Sequence, residues 1–231
     1  MPELDPRQEE LLILVIESFI HSAEPVGSKF LAYEEKIGWS EATIRNDLRA
    51  LEEAGYLTHP HTSAGRIPTE LGYRFYVDSI DDSKIKLSAK DSERMERTMS
   101  LADERESICK STAKEASAIS RDAVIVAFTL DRIYYTGFSN LFEKPEFINA
   151  EMVVNTSRMF DQCEECLGRF ESKITAEPKI YIGNEHPFGG YLSVVAARLA
   201  DTKEGMFVIL GPVRMDYKKN LAILNKIKNS L

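Results

Sequence analysis

The stretch from Ser40 to Ile67 constrains the fold of this chain more than any other. Ser40 can accept a hydrogen bond from a free backbone N–H of the following turn, so it predicts a helix start. Gly55 can adopt the left-handed conformation that ends a helix, so the helix is predicted to run to about Ala54. Two short extended pieces with a turn-rich segment between them follow. A helix followed by a small hairpin is the pattern of a winged helix-turn-helix.

The predicted helix has one apolar face and one polar face. Ile44, Leu48 and Leu51 recur at helical spacing, which predicts that they face a core. The opposite face would then present four side chains outward: Ala42, Arg45, Asn46 and Arg49. Asn can read adenine through two hydrogen bonds, and Arg can read guanine or hold a phosphate. The helix therefore has the residues that entry into a DNA major groove requires.

The hairpin after Gly55 adds candidate contacts to phosphates or to the minor groove. We expect its tip to carry His59, His61, Thr62, Ser63 and Arg66. The full predicted DNA-binding set is Ser28, Lys29, Ser40, Ala42, Thr43, Arg45, Asn46, Arg49, His59, His61, Thr62, Ser63 and Arg66.

Net charge opposes this interpretation. The chain carries a formal charge of −8, and residues 1–80 hold 7 Lys and Arg against 14 Asp and Glu, a net of −7. DNA-binding domains are usually basic. Several of the acids lie in the first two predicted helices and can point away from DNA. We therefore expect modest non-specific affinity, which depends mainly on phosphate neutralisation.

The predicted fold class is α+β, with three segments in 231 residues. Residues 1–80 form the winged helix-turn-helix domain, and residues 81–120, free of Gly and Pro from Ser88 onward, form a helical connector. Residues 121–231 mix strand and helix patterns, which predicts a sheet with helices on one face. A single helix is expected from Asn149 to Phe170, and a final helix begins at Asp216.

No catalytic or metal-binding constellation is visible, so no cofactor is expected and an enzyme is the least expected class. Cys163 and Cys166 form a CxxC pair on a predicted helix, without a second pair to complete a zinc site. We expect two thiols on or near the helix surface. His59 and His61 could share a metal but lack further ligands. The odd cysteine number, the absence of a long apolar run and the polar N-terminus predict a cytoplasmic protein without membrane contact.

Five strings within the first 80 residues carry a resemblance to a known family. They are AEPVGSK at 23–29, ATIRNDL at 42–48, GYL at 55–57, PHTSAGRIPT at 60–69 and GYRFYVD at 72–78. The chain resembles the HrcA-type heat-inducible transcription repressors of bacteria. Three later strings, GFSNLFEKPEF at 137–147, YIGNEHP at 181–187 and GPVRMDY at 211–217, resemble the GAF-like domain of that family.

The resemblance has one departure. Members of the family usually carry an inserted, dimerising domain between the first strand of the GAF-like domain and the segment that matches GFSNL. Here a few residues near Asp131 join these two pieces. The chain is therefore expected to be a short member that lacks the insert.

The resemblance implies a homodimeric repressor of chaperone genes that binds an inverted repeat similar to the CIRCE element. It also implies that the chaperonin GroEL keeps the repressor active and that heat relieves repression. Two alternatives remain at this point. The first is a ligand-gated regulator whose GAF-like domain uses Arg214 and Asp216, although these residues also fit a strand-to-helix junction. The second is a protein-interaction module that retains the winged helix as a scaffold.

Overall fold

The computed structural model describes residues 4–33, 37–61, 64–101, 103–199 and 205–230. The chain divides into two compact units, Met1–Ile80 and Asp81–Leu231. The stretch predicted as a helical connector forms helices that belong to the second unit.

Three helices, a small hairpin and a fourth helix make up the first unit. In chain order they are α1 (Pro6–Ser22), α2 (Ser28–Tyr33), α3 (Glu41–Glu53), β1 (Leu57–Thr58), β2 (Ile67–Pro68) and α4 (Glu70–Asp78). The two strands pair antiparallel, Leu57 opposite Pro68. This is a winged helix-turn-helix, as the sequence predicts.

Local signals in the sequence explain most of these boundaries. Asp5 caps α1 in a reciprocal arrangement with Gln8, and Ala23 ends the helix in a left-handed conformation with a φ of 58°. Ser40 accepts a hydrogen bond from the Thr43 N–H at 3.2 Å, and Gly55 has a φ of 85°. The sequence predicts that Ser28 caps a second helix, but Ser28 is itself the first helical residue of α2. The sequence also predicts that this helix ends near Lys36, which lies outside the described residues.

Helix α4 completes the core of the first unit. Tyr73 and Tyr76 are buried, and the ring of Phe75 meets the ring of Tyr56 edge-on at 5.7 Å between centroids. These aromatic residues therefore pack in the interior and are not a stacking platform for bases. Most of the remaining core comes from α1, α3 and β1, with side chains Leu11, Leu12, Val15, Ile16, Ile44, Leu48, Leu51 and Leu57, and α2 adds Leu31.

The second unit is built around a five-stranded antiparallel sheet with the order β4-β3-β7-β6-β5. Its strands are β3 (Ala123–Thr129), β4 (Arg132–Thr136), β5 (Lys179–Ile182), β6 (Leu192–Arg198) and β7 (Met206–Pro212). Its helices are α5 (Ala89–Met99), α6 (Arg105–Ser120), α7 (Phe138–Phe142), α8 (Ala150–Asp161), α9 (Cys163–Phe170) and α10 (Tyr217–Lys228). The predicted α+β class is confirmed.

Helices cover both faces of this sheet, so the expectation of helices on one face was wrong. Ile125, Val194 and Val208 belong to a core cluster with residues of α7, α8 and α9. On the other face α6 packs against β3, and α10 packs against β6 and α6. The strands are apolar at consecutive positions because both faces are buried. The helix predicted from Asn149 to Phe170 is two helices, α8 and α9, that meet at Gln162.

Strands β3 and β4 form a direct hairpin. Thr129 is paired with Arg132, so only Leu130 and Asp131 lie in the turn. The side chain of Thr129 donates a hydrogen bond to Asp131 at 2.6 Å and closes this turn. No domain is inserted between these two strands, all of whose residues are among those described.

A buried polar network lies where β3 begins. The carboxylate of Asp122 is fully buried, accepts a hydrogen bond from the Asn220 amide at 2.8 Å, and pairs with the Lys144 ammonium. Gly137 and Gly211 pack so closely against Asp122 that a Cβ on either would collide with it. Burial raises the pKa of the Asp122 carboxyl above its usual value, and Lys144 and Asn220 oppose that shift. The string GFSNLFEKPEF at 137–147, which contains Gly137 and Lys144, therefore has a structural role in this unit.

Candidate nucleic-acid interface

Helix α3 separates the predicted reading residues from the core. Ile44, Leu48 and Leu51 are buried, as their spacing predicts. On the other side the structure exposes Ala42, Arg45, Asn46 and Arg49, and Thr43 is half-buried. A small residue, an amide and two guanidinium groups thus share one solvent-facing surface. We call this set of four exposed residues the α3 outer face.

Both arginines of the α3 outer face carry acidic neighbours along the same helix. Arg45 pairs with Glu41 at 2.6 Å, and Arg49 pairs with Glu53 at 2.8 Å. The side chains of Arg45 and Arg49 are 68% and 77% exposed. Pairs this exposed contribute little to stability, so a phosphate or a base edge can replace either carboxylate at low cost. The i, i+4 spacing of these pairs is visible in the sequence, although the predicted site did not include the acids.

Asp47 differs from the other acids of α3 because it is buried. Its carboxylate accepts two hydrogen bonds from Arg7 of α1, at 2.7 and 3.0 Å. This two-pronged contact fixes the rotation of α3 about its axis and therefore the direction of the α3 outer face. Arg7 and Asp47 are 40 positions apart in the chain, and no local pattern links them.

The base of the hairpin is held against α3 by one carboxylate. Glu52 pairs with Arg66 at 2.8 Å and with the ring of His59. His59 and Arg66 were expected at the tip of the wing, but the structure places them at its base, because Glu52 of α3 holds both. His61 is exposed. Thr62 and Ser63 lie outside the described residues.

The loop between α1 and α2 closes the other side of the hairpin. Val26 and Arg66 exchange backbone hydrogen bonds at 2.9 and 2.8 Å. A Cβ on Gly65 would lie 2.6 Å from backbone atoms of Pro25 and Val26, so only glycine allows this approach. Two of the strings that carried the resemblance, 23–29 and 60–69, are thus in contact.

A cleft of about 260 Å³ lies between α2, α3 and the base of the hairpin. Arg45 and Arg66 are among its lining residues, and Ser28 at its edge donates a long hydrogen bond of 3.5 Å to Glu41. Lys29 and Ser40 are exposed, and the hydroxyl of Ser40 lies 2.9 Å from that of Thr43. The predicted contacts Ser28, Arg45 and Arg66 therefore meet at one cleft.

The acids of α1 do not share the α3 outer face. Glu9 and Glu10 are exposed on α1, and α1 packs against α3. That contact helps to bury the apolar stripe of α3, which lies opposite the α3 outer face. Glu34 and Glu35, two acids of the predicted second helix, lie outside the described residues.

The second unit does not support the other predicted sites. Arg214 donates a hydrogen bond to Glu146 at 3.3 Å, and Asp216 caps α10 by accepting one from the Lys219 N–H at 3.0 Å. Both side chains therefore serve a strand-to-helix junction, and the ligand-gated alternative is not favoured. Cys163 and Cys166 were expected near the helix surface, but both are buried in the core. Burial raises the pKa of the Cys163 thiol to about 12, which keeps it protonated and unreactive.

Where the chain is described, His, Cys, Asp and Glu side chains form no group of three or more that could hold a metal ion. None of the helices in the described ranges is both long enough and apolar enough to cross a bilayer.

Fold and site together define a winged helix-turn-helix protein, and the family model of the DeoR-like helix-turn-helix domain matches residues 33–70. The family model of the HrcA protein C-terminal domain matches residues 83–221, more than half of the chain. The chain therefore belongs to the HrcA family.

Curated relatives carry the name heat-inducible transcription repressor HrcA. The protein of Thermobifida fusca is 38% identical over 158 residues, which cover 68% of this chain and 46% of that protein. The protein of Acidothermus cellulolyticus is 33% identical over 175 residues, 75% of this chain and 51% of that protein. The chain thus spans about half of the length of these two relatives.

One solved structure resembles the whole chain. It is described as the crystal structure of a hypothetical protein at 2.2 Å resolution, with a TM-score of 0.73. The match covers 98% of this chain and 97% of that one at 17% sequence identity, so the likeness extends to the fold alone.

Proposed function

We propose that this chain is a sequence-specific DNA-binding transcriptional repressor of heat-shock genes. It acts in the cytoplasm as a homodimer on an inverted repeat that resembles the CIRCE element. The observation that carries the proposal is the α3 outer face, which presents Ala42, Arg45, Asn46 and Arg49 to solvent on a winged helix-turn-helix of the HrcA family. The curated relatives are named heat-inducible transcription repressors, which supports heat-shock genes as the targets.

In this proposal the α3 outer face reads base edges. Ala42 leaves room for α3 to approach the floor of the major groove, Asn46 hydrogen-bonds an adenine, and Arg45 and Arg49 contact guanine or phosphate. Binding requires each arginine to leave its glutamate. Because both pairs are exposed, this exchange costs less than a charge-assisted hydrogen bond to DNA returns.

The remaining predicted contacts position the protein on the backbone. Ser28, Lys29, Ser40 and Thr43 lie at the starts of α2 and α3, where hydroxyl and ammonium groups can meet phosphates. The hairpin would add further contacts to the DNA backbone, from His59 and Arg66 at its base and from His61, Thr62 and Ser63. Few lysines and arginines take part, so the affinity for random DNA should be weak and sensitive to salt.

Two winged helices on one inverted repeat require two copies related by a two-fold axis. Heat would relieve repression if a marginally stable dimer lost a few kcal/mol. A chaperonin such as GroEL could then set the active fraction by refolding the chain. These two steps rest on the resemblance to the family.

The first experiment is fluorescence anisotropy with a duplex that carries a CIRCE-like inverted repeat and a scrambled duplex of the same composition. We expect a preference for the repeat that persists at moderate salt. Equal, weak and steeply salt-dependent binding to both duplexes would reject sequence-specific recognition of this operator. No binding at low salt would favour a protein-interaction module.

Two substitutions test the roles within α3. Arg49→Ala should weaken binding to the repeat by about 1–3 kcal/mol if Arg49 contacts a base, and Asn46→Ala should relax the preference at one base pair. Arg97→Ala is the matched control, because it removes the same charge from an exposed position of α5. Equal losses for Arg49→Ala on both duplexes would assign Arg49 to phosphate. An unchanged sequence preference would remove Asn46 from the reading residues.

A further inference from the structure

Strand β4 has an unpaired outer edge. It lies at one end of the sheet and pairs only with β3. Within the described part of the chain, no element other than β3 makes a backbone hydrogen bond to residues 132–136. A row of free N–H and C=O groups on an edge strand is a template for pairing with another strand.

The two edges of the sheet differ in how they are protected. Strand β5 at the other edge has only four residues and begins with the exposed Lys179, both of which discourage pairing. Strand β4 is one residue longer and carries an exposed aromatic side chain. Tyr135 is 49% exposed, and its ring lies 5.1 Å from the ring of Phe138 and 6.2 Å from that of Phe160. We call these three residues the β4 aromatic cluster.

We propose that the β4 edge is the surface through which two copies of this chain dimerise. The β4 strands would pair antiparallel about a two-fold axis at Tyr134, joining two five-stranded sheets into one. The proposed function requires a dimer, and the β4 edge would be the interface of that dimer. The choice of a second copy as the partner rests on the proposed function. An inverted repeat demands a two-fold interface, and such an interface must be self-complementary.

The sequence of β4 meets that demand. A two-fold axis at Tyr134 sets Ile133 opposite Tyr135 of the second copy, a β-branched residue against an aromatic one, on the face of the β4 aromatic cluster. Arg132 falls opposite Thr136, so no like charges meet. Arg132 is also neutralised within its own chain by Glu106 of α6. On the other face Lys110 covers the Tyr134 ring at 5.8 Å from its centroid.

The short turn between β3 and β4 allows the β4 strands of two copies to approach each other. Only Leu130 and Asp131 separate β3 from β4, so no bulky connection projects beyond the end of the edge. In the same register Asp131 lies opposite Gly137, which has no side chain to oppose it. The connection at the Leu130–Asp131 end therefore does not obstruct the approach of a second β4 strand.

The first test is the oligomeric state in solution, measured by sedimentation equilibrium on the full chain without DNA. Tyr135→Lys places two lysines in the proposed interface and should raise the dimer dissociation constant by at least about tenfold. Ile148→Lys is the matched control, because Ile148 is an exposed apolar residue outside β4 and should leave the dimer unchanged. A monomeric wild-type chain, or equal dissociation constants for all three proteins, would overturn the proposal.

Oxidative cross-linking tests the register and does not depend on the behaviour of the lysine variant. Tyr134→Cys should form an intermolecular disulfide, because the two-fold axis brings residue 134 next to its own copy. Arg132→Cys should not, since its own copy lies four residues further along the strand, about 13 Å away. The native cysteines are buried and give a low background. Cross-linking at 132 but not at 134 would contradict the proposal.

These outcomes are separate from those of the proposed function. A wild-type chain that prefers the repeat and dimerises, while Tyr135→Lys remains dimeric, would overturn the β4 interface and leave the repressor function intact. A dimer that cross-links at residue 134 and shows no preference for the repeat would support the interface and reject this operator.

Discussion

Ion pairs on α3 and in the interior of the second unit differ in their exposure to water. Arg49 and Glu53 are 77% and 65% exposed, whereas Asp122 is fully buried and the side chain of its partner Lys144 is 17% exposed. An exposed pair contributes little and exchanges easily, whereas a buried charge that loses its partner is costly. The arginines of the exposed α3 pairs can therefore exchange their carboxylates for another ligand, whereas the Asp122 pair maintains the fold.

The largest effect should follow the loss of the buried carboxylate. Asp122→Ala removes the partner of Lys144 and of the Asn220 amide and should lower the free energy of unfolding by about 3–5 kcal/mol. Denaturant unfolding followed by circular dichroism measures this change. Asp161→Ala, at an exposed position of α8, is the control and should change stability little. Similar losses for both variants would show that the buried network does not hold the fold.

The second effect concerns pH and a buried histidine of the second unit. The Nδ1 atom of His186 accepts a hydrogen bond from the Phe188 N–H at 3.2 Å, and its Nε2 atom lies 3.0 Å from the Leu192 carbonyl. Burial lowers the pKa of His186 to about 4 from its usual 6.5. The unfolded chain therefore binds a proton between these pH values and the folded chain does not, so stability is lost as pH falls through this range.

The lowered pKa of His186 predicts that the free energy of unfolding falls by about 3 kcal/mol between pH 7 and pH 4. Denaturant unfolding at each pH, compared with His186→Gln, isolates the contribution, because the variant lacks the titrating ring. The difference in stability between the two proteins should shrink as pH falls. A difference that stays constant with pH would contradict the assignment.

A smaller effect is expected for the one buried acid of α3. Asp47→Ala removes two hydrogen bonds from Arg7 and should cost about 1–2 kcal/mol, less than Asp122→Ala, because Arg7 is 44% exposed. The same variant should weaken binding to the inverted repeat, since α3 loses the contact that fixes its rotation. Thermal unfolding and anisotropy measure the two effects. Unchanged stability would show that the contact between Arg7 and Asp47 contributes as little as the exposed ion pairs of α3.

The smallest effect on stability should come from the acid beside Arg49. Glu53→Gln breaks an exposed i, i+4 pair and should change the free energy of unfolding by less than about 0.5 kcal/mol. The variant should nevertheless bind DNA a few-fold more tightly, because Arg49 no longer leaves a carboxylate and one negative charge is gone. Anisotropy on both duplexes detects this gain. Weaker binding would mean that Glu53 orients Arg49 and does not compete for it.

Local signals account for the parts of the fold that the sequence predicted. The caps at Asp5 and Ser40, the left-handed Gly55 and the stripe of Ile44 and Leu48 all act within one or two turns of helix. The sequence pattern predicts the strands of the second unit at 123–130, 133–137, 179–182, 192–197 and 205–210, each within two residues of the observed ends. Interactions of this range can be read from a single sequence.

The errors share a cause in long-range packing. An unbroken apolar strand shows burial without showing what covers each face, so the helices on the second face of the sheet were missed. The CxxC pair has the same spacing whether its thiols face water or the core, and the structure buries both. His59 and Arg66 look like tip residues from their positions beside a turn, but Glu52 draws them to the base of the hairpin.

The sequence alone predicts the winged helix-turn-helix, the outward face of α3 and the order along the chain of the five strands in the second unit. Those features depend on periodicity, capping and backbone conformation, which act between near neighbours. Three features appear only in the folded chain: Arg7 holds Asp47, Lys144 and Asn220 converge on Asp122, and β4 stands at an open edge of the sheet. The residues concerned are far apart along the chain and are brought together by the packing of whole elements, and no local pattern encodes which elements will meet.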